Sequence, residues 1–174
     1  MEKVKKLVMD LLPTVELNTL SSKAIVEQIA LNIFESDFLK LREKEFFVNL
    51  PVVLQDIILI IDFDIELQMS GIIGFLENST GNYFEETIEA LYRINAIKDF
   101  KAMKNIKFLL FSNGIGTNTL REKLSNLSQY QVANSSLTHD KNVSDLLNEI
   151  ASEADNLYLY RDDDNIFVSL FNYV

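Results

Sequence analysis

Apolar residues recur every three or four positions along most of the chain. This spacing matches the α-helical period of about 3.6 residues, so the apolar side chains of each segment fall on one face of a helix. The predicted helical segments are 4–11, 24–33, one from Pro51 to the glycine turn near 71, 82–95, 98–112, 119–127, 143–154 and 163–173. Two short runs, 46–50 and 156–161, compete as strands. The pattern predicts an all-α fold, a compact bundle of about seven or eight helices.

Residues that start and stop helices mark several of these boundaries. Pro51 suits the first position of a helix, where its missing N–H costs nothing. Asn82, followed three residues later by Glu85, predicts a capping box, and Gly114 suits the end of the next helix. No polar stretch is long enough to link two domains. We therefore expect one all-helical domain over residues 1–174.

Composition narrows the class of protein further. Hydrophobic residues make up 48% of the 174 residues, which is enough for a core, and the formal net charge is −10. We do not expect so negative a protein to bind nucleic acid or an anionic membrane through a basic surface, and an electrostatic partner should be basic. The chain has no cysteine, and its apolar runs fall far short of the roughly 20 residues of a membrane span. We expect a cytoplasmic protein without disulfides.

The negative charge is concentrated in parts of the chain. Residues 51–100 hold nine acids and two bases, whereas residues 101–150 hold four acids and six bases. A basic partner would meet acidic side chains near predicted helix ends. The candidate partner-binding residues are Glu77, Glu85, Glu86, Glu89, Asp162, Asp163 and Asp164. The alternative is that these acids are solvated and only favour the positive end of a helix dipole.

A stripe of lysines follows the most acidic part of the chain. Lys98, Lys101, Lys104 and Lys107 recur at every third residue of one predicted helix. The favoured interpretation is that they pair with the glutamates of the preceding helix, within the molecule or across a dimer interface. Exposed pairs of this kind contribute little individually. A functional anion site is the alternative.

Three carboxylates, Asp62, Asp64 and Glu66, alternate with apolar residues. On a strand or in a loop they could converge as oxygen ligands of a metal ion and support a metal-assisted hydrolase. On a helix, Asp64 points about 200° from Asp62, whereas Asp62 and Glu66 lie within about 40° of each other. The helix is favoured, with Asp64 or the Asp62 and Glu66 pair in solvent. Glu66 would then accept hydrogen bonds from amides of the glycine turn that follows.

The remaining motifs do not form a catalytic pattern. His139 is the only histidine, and a triad with Ser135 or Ser136 and Asp140 would rest on adjacency in sequence rather than on geometry. The glycines near 71–81 lack the preceding strand and the lysine of phosphate-binding loops. We predict no catalytic residue, no metal site and no cofactor, and hence a protein that is not an enzyme.

The stretch from 62 to 96 resembles a bacterial family of small all-helical proteins whose founding member is described as a DNA mimic. The residues that carry the resemblance are Glu66, Gly71, Phe75, Asn78, Ser79 and Gly81, together with the ETIEAL run at 86–91. The family-like core covers about 51–112, and the segment of about 155–174 resembles the acidic and aromatic closing helix of the family. The chain departs from the family pattern at Gln68-Met69-Ser70, where the family has paired asparagines and a glycine.

This resemblance implies a function. In the family, carboxylates stand in for DNA phosphates and occupy the DNA-binding face of a transcription factor, and the proteins form dimers. We therefore expect a non-enzymatic, homodimeric, acidic protein that binds a basic protein and regulates transcription by mimicking DNA. The alternative is an immunity protein that caps a basic toxin such as a nuclease. A metal-dependent enzyme built on the alternating carboxylates is the third hypothesis.

Overall fold

The computed structural model contains helices and no strands in the residues that it describes, which are 2–12, 19–117, 141–161 and 165–174. Its α-helices are α1 (Glu2–Leu11), α2 (Ser22–Asn32), α3 (Lys44–Phe47), α4 (Val52–Glu77), α5 (Phe84–Arg93), α6 (Ile97–Ser112), α7 (Lys141–Ala154) and α8 (Ile166–Tyr173). The 3-10 helices are Leu39–Arg42, Ser79–Tyr83 and Tyr158–Tyr160. The all-α prediction is confirmed, because the two strand-like runs contain helical turns. The helix predicted at 119–127, His139 and Asp162 to Asp164 lie outside the described residues.

Helix α4 forms the centre of the fold. Its residues from Asp56 to Ile61 are all buried, as is Phe63, because α2, α5 and α7 pack around it. A helix that is apolar on every side is one that the rest of the protein surrounds. Buried residues from Val4 to Leu170 join in one apolar cluster. Of the helices in the described ranges, none is both long and apolar enough to cross a membrane.

A kink at Gly71 divides α4. The glycine has φ 65° and ψ −171°, outside the helical region, and the helix resumes at Ile72. Glycine adopts positive φ without steric cost, which explains why the break falls at this residue. The backbone then approaches itself closely at Gly81, where a Cβ would collide with the carbonyl oxygen of Leu76. The glycine turn expected after Glu66 is therefore a kink within α4, followed by a second tight turn.

Two predicted helix starts are displaced. Pro51 is the N-cap of α4 rather than its first helical residue. Helix α5 begins at Phe84 with Tyr83 as its N-cap, and no side-chain hydrogen bond caps it there. The capping box predicted at Asn82 and Glu85 is therefore wrong. The preceding 3-10 helix runs through Asn82, and this moves the start of α5 towards the C terminus.

Two other boundaries show how local signals compare with the structure. Gly114 ends α6 as predicted: it has φ 64°, and its N–H donates to the carbonyl oxygen of Phe111 at 2.9 Å. Helix α8, by contrast, begins at Ile166 rather than at 163. The side chain of Asn165 caps its first turn. An asparagine cap thus sets the start of the closing helix.

Candidate partner-binding surface

The carboxylates of the described residues fall into a buried group and an exposed group. Asp56 and Asp99 are buried and Asp62 is nearly so, with 12% of its side chain exposed. Each of these three bonds to an arginine. An unpaired charge in such a place would cost several kcal/mol, which explains why each of these carboxylates has an arginine partner. A carboxylate that is paired inside the protein adds little to the negative charge at the surface.

Asp56 joins three helices. Its side chain is fully buried in α4 and accepts hydrogen bonds from Arg93 of α5, with Nη2 at 2.6 Å and Nε at 3.0 Å. The Tyr173 hydroxyl of α8 donates a third bond at 2.8 Å. The hydrogen bond that Arg93 donates to Asp56 raises the pKa of Arg93. Burial, and then its own hydrogen bond to Asp56, raise the pKa of Tyr173. The role of Asp56 is to fasten the closing helix to the core.

Asp62 fastens the chain before α3 to α4. Arg42 donates from Nε and Nη2 to the two carboxylate oxygens at 2.8 and 2.7 Å, which is the bidentate geometry of a strong charge-assisted pair. The same guanidinium donates to the carbonyl oxygen of Ile33 at 2.9 Å and lies over the ring of Phe34 at 4.5 Å. Of the two predicted alternatives, the one that places Asp62 in solvent is therefore wrong, because an arginine 20 residues earlier in the sequence covers this carboxylate.

Asp99 holds the segment that leads to α8. The backbone N–H of Tyr158 donates to one carboxylate oxygen at 2.7 Å, and Arg161 donates to the other at 3.1 Å. Burial raises the pKa of Asp99, although these two donors act in the opposite direction. Sequence reasoning missed Asp99, because nothing near it in the chain indicates that its partners lie about 60 residues away.

The alternating carboxylates do not converge. Asp62 bonds to Arg42, whereas Asp64 accepts from the Tyr158 hydroxyl and from Gln68. Glu66 accepts from the side-chain amide of Asn78 at 2.7 Å, so it meets the glycine turn through a side chain rather than through backbone amides. Within the described residues, no group of three or more histidine or acidic side chains could hold a metal ion. The geometry gives these carboxylates structural partners.

The exposed group lies on α5. Its inner side contains the buried residues Phe84, Thr87, Ile88, Ala90 and Leu91. Its outer side presents Glu85, Glu86 and Glu89 to solvent. These are the predicted partner-binding residues that the structure brings together, because positions three and four apart are neighbours on a helix. Glu77, by contrast, is half-buried at the end of α4.

The three outward glutamates differ in their neighbours. Glu85 forms an ion pair with Lys107 of α6. This pair confirms the predicted link between the lysine stripe and the acidic helix at one position. No ion pair joins Glu86 or Glu89 to another described residue. Of the other stripe residues, Lys104 lies over the ring of Phe100 at 5.3 Å. Of the three glutamates, Glu86 and Glu89 are therefore the two that are exposed and make no ion pair with a described residue.

Tyr83, the N-cap of α5, connects this helix to the chain around α3. Glu43 and Glu45, both exposed, flank the start of α3. The Tyr83 hydroxyl donates to the carbonyl of Arg42, and the Tyr83 ring packs on Phe47 with 4.5 Å between centroids. Burial, and then the charge of Glu86, raise the pKa of Tyr83. The contact of Tyr83 with the residues around α3 could not be predicted from the sequence, because acids and bases alternate around α3.

The family comparison covers the helices described above. The model of a family described as DMP19-like protein matches residues 48–174. The match includes all of α4 to α8 and extends through the stretch after 112, in which the sequence has no recognisable motif. No curated protein and no solved structure matches the chain. Because the match covers well over half of the chain, this protein belongs to the DMP19-like family, which takes its name from DNA mimic protein 19.

Proposed function

We propose that this protein is a non-enzymatic interaction protein whose α5 carboxylates occupy the DNA-binding face of a basic protein. The observation that carries the proposal is the outward cluster of Glu85, Glu86 and Glu89 on one amphipathic helix. Membership of a family named for a DNA mimic supports the same function. The partner would be a DNA-binding transcription factor.

The spacing of charge on α5 is close to that on DNA. Glu85 and Glu89 are four residues apart, or about 6 Å along the helix axis, so the three carboxylates are on average about 3 Å apart along this axis. The phosphates of one DNA strand are about 3.4 Å apart along the axis. A groove of arginines and lysines built for phosphates can therefore accept these carboxylates, and arginine can bind them bidentately.

Internal pairing makes the exposed acids the source of the surface charge. Asp56, Asp62 and Asp99 each bond to an arginine, so these acids contribute little to the net charge of −10. The excess negative charge lies on exposed residues such as Glu86 and Glu89. A charged surface of this kind accelerates association with an oppositely charged partner. Added salt screens the charges and weakens this attraction.

The proposal is tested by capture followed by competition. Immobilised protein is incubated with a lysate of its source organism, and each captured protein is purified and assayed for binding to a DNA duplex. We expect a captured DNA-binding protein whose DNA complex this protein dissociates, less effectively as salt rises from about 50 to about 200 mM. The double variant Glu86→Gln, Glu89→Gln should compete at least tenfold less well.

A control variant separates local surface from total charge. Asp145→Asn, Glu149→Gln removes the same charge from exposed positions of α7 and should compete as the wild type does. Equal losses in the two double variants would contradict a specific α5 surface. If every captured protein is basic but has no affinity for DNA, mimicry is wrong and the toxin-capping hypothesis replaces it. The expected homodimer is a separate prediction, checked by sedimentation equilibrium.

A further inference from the structure

A groove lies beside the acidic surface, between the start of α5 and the end of α6. Its cavity volume is about 470 Å³, within the range of about 300–1,000 Å³ typical of binding pockets. The residues that line it and matter here are Phe84, Glu85, Lys107, Leu110, Phe111 and Ile115. Nothing in the proposed DNA mimicry requires an apolar groove, so its presence next to the glutamates calls for an explanation.

The walls of the groove are apolar and firmly held. Phe84, Leu110 and Ile115 are buried in the core, with at most 6% of each exposed. The backbone N–H of Ile115 donates to the carbonyl of Leu110 at 2.9 Å, which closes the turn after α6. Phe111, by contrast, is 81% exposed at the rim. Phe111 therefore adds an exposed apolar side chain to the buried apolar residues that line the groove.

Charge connects this groove with the acidic helix. The ion pair of Glu85 and Lys107 lies among its lining residues, so the groove has a nearly neutral edge. Glu86 follows Glu85 directly, and Glu89 is one turn further on. A segment that binds Glu86 and Glu89 with arginines would therefore pass next to the groove. Its complement is a basic segment with a large apolar side chain.

We propose that the groove receives one large apolar side chain of the same basic partner that the α5 carboxylates bind. This inference rests on the proposed function and deepens it. Carboxylates that imitate phosphates would attract many DNA-binding proteins, because phosphate contacts carry no sequence information. An apolar anchor, which DNA phosphates do not offer, distinguishes one partner from the others, since a few buried apolar residues dominate most interfaces.

The test uses two synthetic fluorescent peptides. One has a central phenylalanine flanked by arginines, and its matched control has alanine in place of the phenylalanine. Burial of a phenylalanine side chain is favourable, so the phenylalanine peptide should bind the wild type at least about tenfold more tightly by fluorescence anisotropy. This advantage should persist at raised salt, because apolar contacts are not screened.

Variants of the protein separate the contribution of the groove to peptide binding from that of the α5 carboxylates. Phe111→Ser should abolish the advantage of the phenylalanine peptide and leave the salt dependence unchanged. Phe108→Ser is the matched control, since Phe108 lies one turn earlier on α6, is 68% exposed and does not line the groove. The double variant Glu86→Gln, Glu89→Gln should weaken both peptides equally and reduce the salt slope. Circular dichroism verifies that each variant keeps its helices.

The outcomes separate this inference from the proposed function. Equal binding of the two peptides to the wild type, or equal effects of Phe111→Ser and Phe108→Ser, overturns the groove and leaves the acidic surface in place. If neither peptide binds, both proposals are wrong. If the wild type sediments as a dimer and Phe111→Ser as a monomer, a second copy covers the groove, and the anchor proposal is overturned.

Discussion

Helices α4 and α5 pack against each other and are both acidic, yet they use their carboxylates in opposite ways. The acids Asp56 and Asp62 of α4 lie inside and bond to arginines. Those of α5 lie outside, and Glu86 and Glu89 make no ion pair with a described residue. Helix α4 is surrounded by other helices, whereas α5 has one buried side. Whether a carboxylate of these two helices is paired inside the protein or exposed to solvent therefore depends on how much of the helix surface the other helices bury.

Arginines and lysines show the same division. Arg42, Arg93 and Arg161, the arginines within the described residues, each bond to an acid of the core. Lysines such as Lys101 and Lys104 remain exposed on α6. A planar guanidinium suits bidentate pairing at partly buried sites, whereas an ammonium is more strongly hydrated. Arginine here stabilises the fold, and lysine shapes the surface.

The largest expected effect comes from breaking the buried group at Asp56. Asp56→Ala would leave Arg93 and Tyr173 without the shared acceptor that Asp56 supplies from a fully buried position. We expect a loss of about 3–5 kcal/mol in the free energy of unfolding, measured by urea denaturation. Asp56→Ala combined with Arg93→Met should cost less than the sum of the two single changes, because it removes both charges together. A single-variant loss below about 1 kcal/mol would contradict a structural ion pair.

Alkaline pH should weaken, by a smaller amount, the hydrogen bonds that Tyr158 donates to Asp64 and Tyr173 donates to Asp56. Burial, with nearby carboxylates, raises the pKa of Tyr158 and Tyr173 above the ordinary value of about 10. Above that pH the unfolded chain releases these protons before the native protein does. The free energy of unfolding should therefore fall as pH rises, by at most about 1.4 kcal/mol per pH unit for Tyr158. The contribution of Tyr173 should be smaller, because solvent screens its more exposed side chain. Tyr158→Phe should show a shallower decline, and a decline equal to that of the wild type would refute this explanation.

The smallest effect is expected on the exposed side. Glu86→Gln, Glu89→Gln should change the free energy of unfolding by no more than about 0.5 kcal/mol, because these side chains are solvated. Urea denaturation at low and high salt measures this. Together with the loss of binding expected for the same variant, a small change would assign α5 to recognition rather than to stability. A loss above about 1 kcal/mol would show instead that these glutamates belong to the fold.

The sequence was sufficient for most of the secondary structure. Helical periodicity predicted the all-α fold, and Gly114 marked the end of α6 where it is found. Helix boundaries set by tertiary packing were less accessible, as the start of α5 after a 3-10 turn shows. Capping residues and helical periodicity reflect interactions between residues close in sequence. They predict a helix boundary wrongly where a neighbouring element changes the path of the chain.

The sequence by itself determined that this protein is helical, negatively charged and acidic along α5, because these properties depend on residue type and spacing. Only the tertiary structure decided which carboxylates are neutralised. Asp56 meets Arg93 and Tyr173 across 37 and 117 residues of chain, and no periodicity encodes such a meeting. The groove beside Phe111 likewise exists only where two helices pack together. Ion pairs and grooves depend on the approach of distant segments, which burial of the whole core brings about.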